Sequence, residues 1–120
     1  MRTPKNISDR RRSARIAESL LFKIGHEGYE IAAMTVNISA HGAMCVVDRA
    51  IPVMTQLRVA LTLPASSKEK VIHATGVVVR HEADPDSDKH FIALYFSQIK
   101  PTDQKILNQH IEQRLHRFTD

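Results

Sequence analysis

Two short stretches hold the side chains best suited to gripping an anion. Arg10, Arg11, Arg12 and Arg15 place four guanidinium groups within six residues. Each can make paired hydrogen bonds to a phosphate and stays charged at any physiological pH. Downstream, Asn37-Ile38-Ser39-Ala40-His41-Gly42 is a polar stretch between two apolar runs. It reads as a turn in which Asn and Ser side chains bond neighbouring backbone groups and Gly permits positive φ. A cationic arm and a fixed polar turn can close on an anion between them.

The remaining chemical inventory does not point to catalysis. Ser39 and His41 lie two apart, but no nucleophile-elbow pattern or orienting acid accompanies them. The histidines at 26, 41, 73, 81, 90, 110 and 116 and the lone Cys45 lack metal-ligand spacing. They read as surface or satisfied core residues. Asp84, Asp86 and Asp88 begin like a calcium loop, yet Lys89 stands at the sixth position, where Gly is needed, and Tyr95 at the twelfth, where Glu is needed. No phosphate-binding glycine loop is present. The expectation is therefore a binding protein: no enzyme, no metal and no cofactor.

A chain of 120 residues suffices for one domain with its own core. With one cysteine, no secretory apolar region and no membrane-length apolar run, the expected location is cytoplasmic, without membrane insertion. The net charge of +4 is unevenly placed: residues 1–16 carry +5, from six cations against Asp9, and residues 17–120 sum to −1. A near-neutral body with a basic arm suits a local anion contact better than a broad nucleic-acid face.

The elements that must position these groups read mainly as β. Residues 1–9 lack periodicity and are expected to be a disordered tail ahead of the arm at 10–15. Residues 16–24 fit a strand or a helical turn, and the turn at 25–28 favours a hairpin. Residues 29–36 place Ile31, Ala33 and Thr35 on one face and Ala32, Met34 and Val36 on the other; residues 43–47 return. Leu57, Val59, Leu61 and Leu63 alternate with Gln56, Arg58, Ala60 and Thr62, the period of a half-buried strand. Residues 71–81 form a long β-branched run in which Gly76 suggests a bulge. An acidic turn at 83–89 precedes a strand at 91–96. Thr102 is placed to cap a helix over 102–118, with Ile106, Leu107, Ile111, Leu115 and Phe118 on its apolar stripe. Six strands and a terminal helix suggest a small antiparallel barrel over about residues 16–97, with the helix closing one end.

In order and spacing, Arg11-Arg12-Ser13-Ala14-Arg15 followed by Asn37-Ile38-Ser39-Ala40-His41-Gly42 resembles the paired RxxxR and [D/N]xSxxG motifs of the PilZ domain, a bacterial receptor for the second messenger cyclic di-GMP. The resemblance covers the chain from about residue 9 to the last helix. It implies an all-β, six-stranded PilZ-type barrel with a C-terminal helix, a flexible basic arm, and cyclic di-GMP as ligand. It also implies ligand-binding roles for Arg11, Arg12, Arg15, Asn37, Ser39 and Gly42. Arg10 could substitute in register, and Arg80 is a secondary candidate for lining the same surface. Arginine suits such a ligand because it binds phosphate in pairs, donates to a guanine edge and stacks on a base. Ala93 stands where many family members have Gly, and Trp is absent, so aromatic stacking is expected to be scarce.

The resemblance further implies signalling through an unidentified protein effector in motility, biofilm or virulence control. An alternative is a protein-interaction adaptor of the same fold that acts without nucleotide; its partner binding would survive substitution of Arg11 or Ser39. A third reading, a basic nucleic-acid-binding barrel, would need aromatic platforms, whereas the four Phe and two Tyr fall mostly in apolar runs.

Overall fold

The computed structural model describes residues 14–64 and 68–119. Arg10, Arg11, Arg12 and the expected tail at 1–9 lie outside the described residues. The elements are β1 (Leu21–His26), β2 (Tyr29–Ser39), β3 (Gly42–Val47), β4 (Gln56–Leu63), β5 (Lys70–Ala83), β6 (His90–Ile99) and the helix α1 (Pro101–Thr119). The strands close into a barrel in the order β1-β2-β3-β6-β5-β4, every pairing antiparallel, with β1 against β4 completing the ring. Closure leaves no unpaired sheet edge, and the six-stranded all-β barrel with one helix is the architecture expected.

Alternation along the strands builds the core. Phe22 and Ile24, Ile31 and Ala33, Ala43 and Val47, and Leu57, Val59, Leu61 and Leu63 all point inward. Each fully buried Leu or Ile contributes about 2 kcal/mol by leaving water. Cys45 shares this interior, where burial pushes its thiol up to about 12, far from a reactive thiolate. Leu107 and Ile111 bring α1 into the same core, while Lys105, Gln109, Glu112 and Gln113 stay exposed.

Several boundaries differ from the sequence reading. The first hairpin turns on Glu27 and Gly28 alone, both at positive φ (50° and 82°), so Gly25 belongs to β1. Helix α1 begins at Pro101, one residue before the expected cap; proline's fixed φ suits that first position, and Thr102 falls inside the turn. The side chain tying that turn down is Asp103, whose Oδ2 accepts from the His73 backbone N at 3.1 Å. In the acidic turn, Asp84 accepts from Asp86 N and Ser87 Oγ, each at 2.9 Å, so it acts as turn chemistry.

Candidate ligand-binding face

The polar motif lies on strands and not in a loop as expected. Asn37, Ile38 and Ser39 end β2, Gly42 opens β3, and only Ala40 and His41 form the turn. Local dihedral preference does not explain the glycine. Gly42 has no positive φ; a Cβ there would sit 2.1 Å from the Leu94 carbonyl oxygen, so β3 can approach β6 only without a side chain. Ser39 is buried and holds the turn, donating to Gly42 O and accepting from His41 N, both at 3.3 Å. The turn is pinned from outside as well: His41 O accepts from Phe96 N at 2.8 Å, and Ala40 O from Gln104 Nε2 at 3.0 Å.

Two β-bulges decide which residues face outward. On β2, Thr35 pairs with Cys45 and Asn37 with Met44, leaving Val36 as the extra residue. On β5, Val78 pairs with Leu94 and Arg80 with Ala93, leaving Val79 extra. Strict alternation would turn Asn37 and Arg80 inward behind the buried Thr35 and Val78; each bulge resets the alternation and presents them on the barrel exterior. The two then terminate one row across four strands, Asn37, Met44, Ala93 and Arg80. At about 4.8 Å per strand, the row spans roughly 14 Å. Arg80 is held in it by Glu82 Oε2, 2.8 Å from its Nη2.

The base of the arm meets this row at Asn37. Ile16 and Ile38 exchange both backbone hydrogen bonds, at 2.9 and 3.0 Å, fixing the chain just after Arg15 against the residue just after Asn37. Arg15 Nη1 then donates to Asn37 Oδ1 at 3.0 Å on the exposed surface. The last arginine of one motif and the first residue of the other are thus in direct contact. Of the five donors on the Arg15 guanidinium this bond uses one.

The supporting residues were not singled out in the sequence. The buried Thr35 hydroxyl accepts from Leu20 N at 2.8 Å and donates to Glu18 O, while Thr35 N donates to Leu20 O at 3.0 Å. Glu18 in turn accepts from His110 Nε2 at 2.7 Å and from Arg114 Nε and Nη2 at 3.1 and 3.0 Å. Burial pushes the Glu18 carboxyl up, but the bonds from His110 and Arg114 outweigh it and hold the group below its ordinary value. A polar Thr among inward apolar positions and a His on the apolar stripe of α1 were the available signals.

A surface cavity of about 430 Å3 lies elsewhere, among Arg58, His73, Thr75, Gln98 and Lys100, and touches neither Arg15 nor Asn37. Among the described residues no group of His, Cys, Asp or Glu is arranged to hold a metal, and no helix is long and apolar enough to cross a membrane.

The family model described as the PilZ domain matches residues 9–113. The chain belongs to the PilZ domain family. Among solved structures, this PilZ domain is similar to the Bacillus subtilis inhibitor of motility MotI/DgrA, with 32% identity and a TM-score of 0.78 over 89% of this chain and 52% of that one. The chain thus spans about half the length of that relative. The PilZ domain of Escherichia coli YcgR, solved with c-di-GMP, matches at 16% identity and a TM-score of 0.63, covering 92% and 94% of the two chains. Borreliella burgdorferi PlzA, also in complex with c-di-GMP, matches at 12% identity and 0.62, covering 97% and 57%. These last two share the PilZ fold. No curated protein matches the chain.

Proposed function

We propose that this PilZ domain is a cyclic di-GMP receptor, with ligand held between the arginine arm and the outer face that begins at Asn37. The observation that carries the reading is the Arg15 to Asn37 hydrogen bond, which joins the two motifs. Arg11, Arg12 and the further donors of Arg15 supply charge-assisted bonds to the phosphates, with Arg10 able to replace a neighbour. Asn37 offers both an acceptor and donors to a guanine edge. Ser39 through its hydroxyl, and Gly42 through its lack of a side chain, keep the hairpin in place.

Ligand binding orders the arginine arm and so creates a surface that a protein effector recognises. The domain acts as a receptor and adaptor without chemistry of its own. The 32% identity with an inhibitor of motility supports motility as the regulated process.

Calorimetric titration tests the binding. Wild-type protein should give saturable heat with cyclic di-GMP and none with GTP or cyclic di-AMP, and Arg15→Ala should weaken binding at least tenfold, the loss of a charge-assisted pair. Folded protein that gives no heat at high ligand concentration sinks the receptor reading and leaves the nucleotide-independent adaptor.

A further inference from the structure

Beside the Asn37 row the barrel exterior exposes Tyr95 and Val79, large apolar side chains at positions open to water. Ser39, Gly42, Tyr95 and Val77 form the adjoining row across the same four strands. Tyr95 is 53% exposed, and the bulged Val79 on neighbouring β5 is 52% exposed. Single exposed apolar residues need no explanation, but a large aromatic ring at the centre of a face already carrying Asn37 and Arg80 does. Its surroundings leave it accessible. Opposite it on β3 is Gly42, which has no side chain, and two residues before it on the same face is Ala93, which has only a methyl group.

We propose that Tyr95 is the stacking platform for a purine base of the bound cyclic dinucleotide, a role that rests on the receptor reading above. Ser39 and Tyr95 are two strand spacings apart, about 10 Å, and Asn37 lies diagonally across the same face. A ligand whose phosphates meet Arg15 and one of whose bases meets Asn37 therefore lies along the floor formed by Met44, Ala93 and Tyr95. A flat purine covers apolar floor and ring together, which removes both from water and adds base to aromatic stacking. The small side chain at Ala93 is then a complement to Tyr95, because a bulkier residue would lift the base off the ring. The scarcity of aromatics expected from composition becomes a single placed one.

The absence of Trp makes the test direct, since near-ultraviolet emission comes from only two tyrosines, Tyr95 and Tyr29. Tyr29 is 70% exposed in the first hairpin, away from this face. Two single-tyrosine proteins, Tyr29→Phe and Tyr95→Phe, are titrated with cyclic di-GMP by fluorescence and by calorimetry, with Tyr95→Ala in calorimetry alone. Emission should be quenched saturably in Tyr29→Phe, at the calorimetric midpoint, and only by ligand absorbance in Tyr95→Phe. Affinity should persist in Tyr95→Phe, which keeps a ring, and fall about tenfold in Tyr95→Ala, within the range for loss of one stacked base. Normal heat with unquenched Tyr95 and full affinity in Tyr95→Ala overturns the platform while the receptor stands. Absence of heat from the wild type overturns both.

Discussion

The barrel contains two hairpins that reverse the chain in two-residue turns by different means. Glu27 and Gly28 form the first through positive φ at both positions, with nothing within 4 Å of where a Gly28 side chain would begin. Ala40 and His41 form the second without positive φ, held by Phe96, Gln104 and the Ser39 hydroxyl. The first is a local backbone solution matched to strand twist. The second exists because β6 and α1 converge on it and the adjoining Ser39 hydroxyl braces it. Only the second carries the candidate ligand residues, and a site on a hairpin fixed from several sides keeps its geometry better than one on a free turn.

The difference can be broken at its strongest point by Gly42→Ala. The new Cβ would collide with backbone and not with a movable side chain, so β3 and β6 must part. Urea unfolding should show a loss of about 3 kcal/mol, at the upper end for overpacking, and ligand affinity should fall with it. A loss below about 1 kcal/mol would mean that the close approach is not required.

Next in size is the anchor of the arm to the helix. Glu18→Gln removes the carboxylate that accepts from His110 and Arg114, and near neutral pH should cost about 2 kcal/mol. Because the folded-state carboxyl titrates below its ordinary 4.5, its stabilisation is fully present above that value and is lost as pH falls through the depressed folded-state value. Stability measured against pH should show wild type and Glu18→Gln converging in that acid window. A gap independent of pH would assign the effect to packing.

The smallest effect belongs to the first hairpin. Gly28→Ala meets no atom and suffers only from its left-handed conformation, about 1 to 1.5 kcal/mol by urea unfolding, with cyclic di-GMP affinity unchanged by calorimetry. A change in affinity there would show that the two hairpins are linked.

Much of this fold was legible in the sequence. The alternation of Leu57, Val59, Leu61 and Leu63 and the stripe through Leu107 and Ile111 set strand and helix faces, because burial follows periods of 2 and 3.6 residues. The two motifs were legible as strings, and the structure brings the last arginine of one, Arg15, against the first residue of the other, Asn37. What could not be read was that Asn37 and Ser39 lie on a strand, that Thr102 is not the cap, and that Thr35, Glu18, His110 and Arg114 fasten the arm's base. Those contacts join residues 15 to 96 positions apart, and no local pattern encodes the partner of a hydroxyl or a carboxylate.

By itself the sequence determined the element types, the inward side chains and the presence of four arginines ahead of a polar stretch, since each depends on neighbours along the chain. Only the tertiary structure decided which way Asn37 and Arg80 face. One extra residue at Val36 and one at Val79 invert the alternation that sequence reading extrapolates. Those bulges follow from the register against β3 and β6, which is set by closing the barrel, and closure is a property of all six strands together.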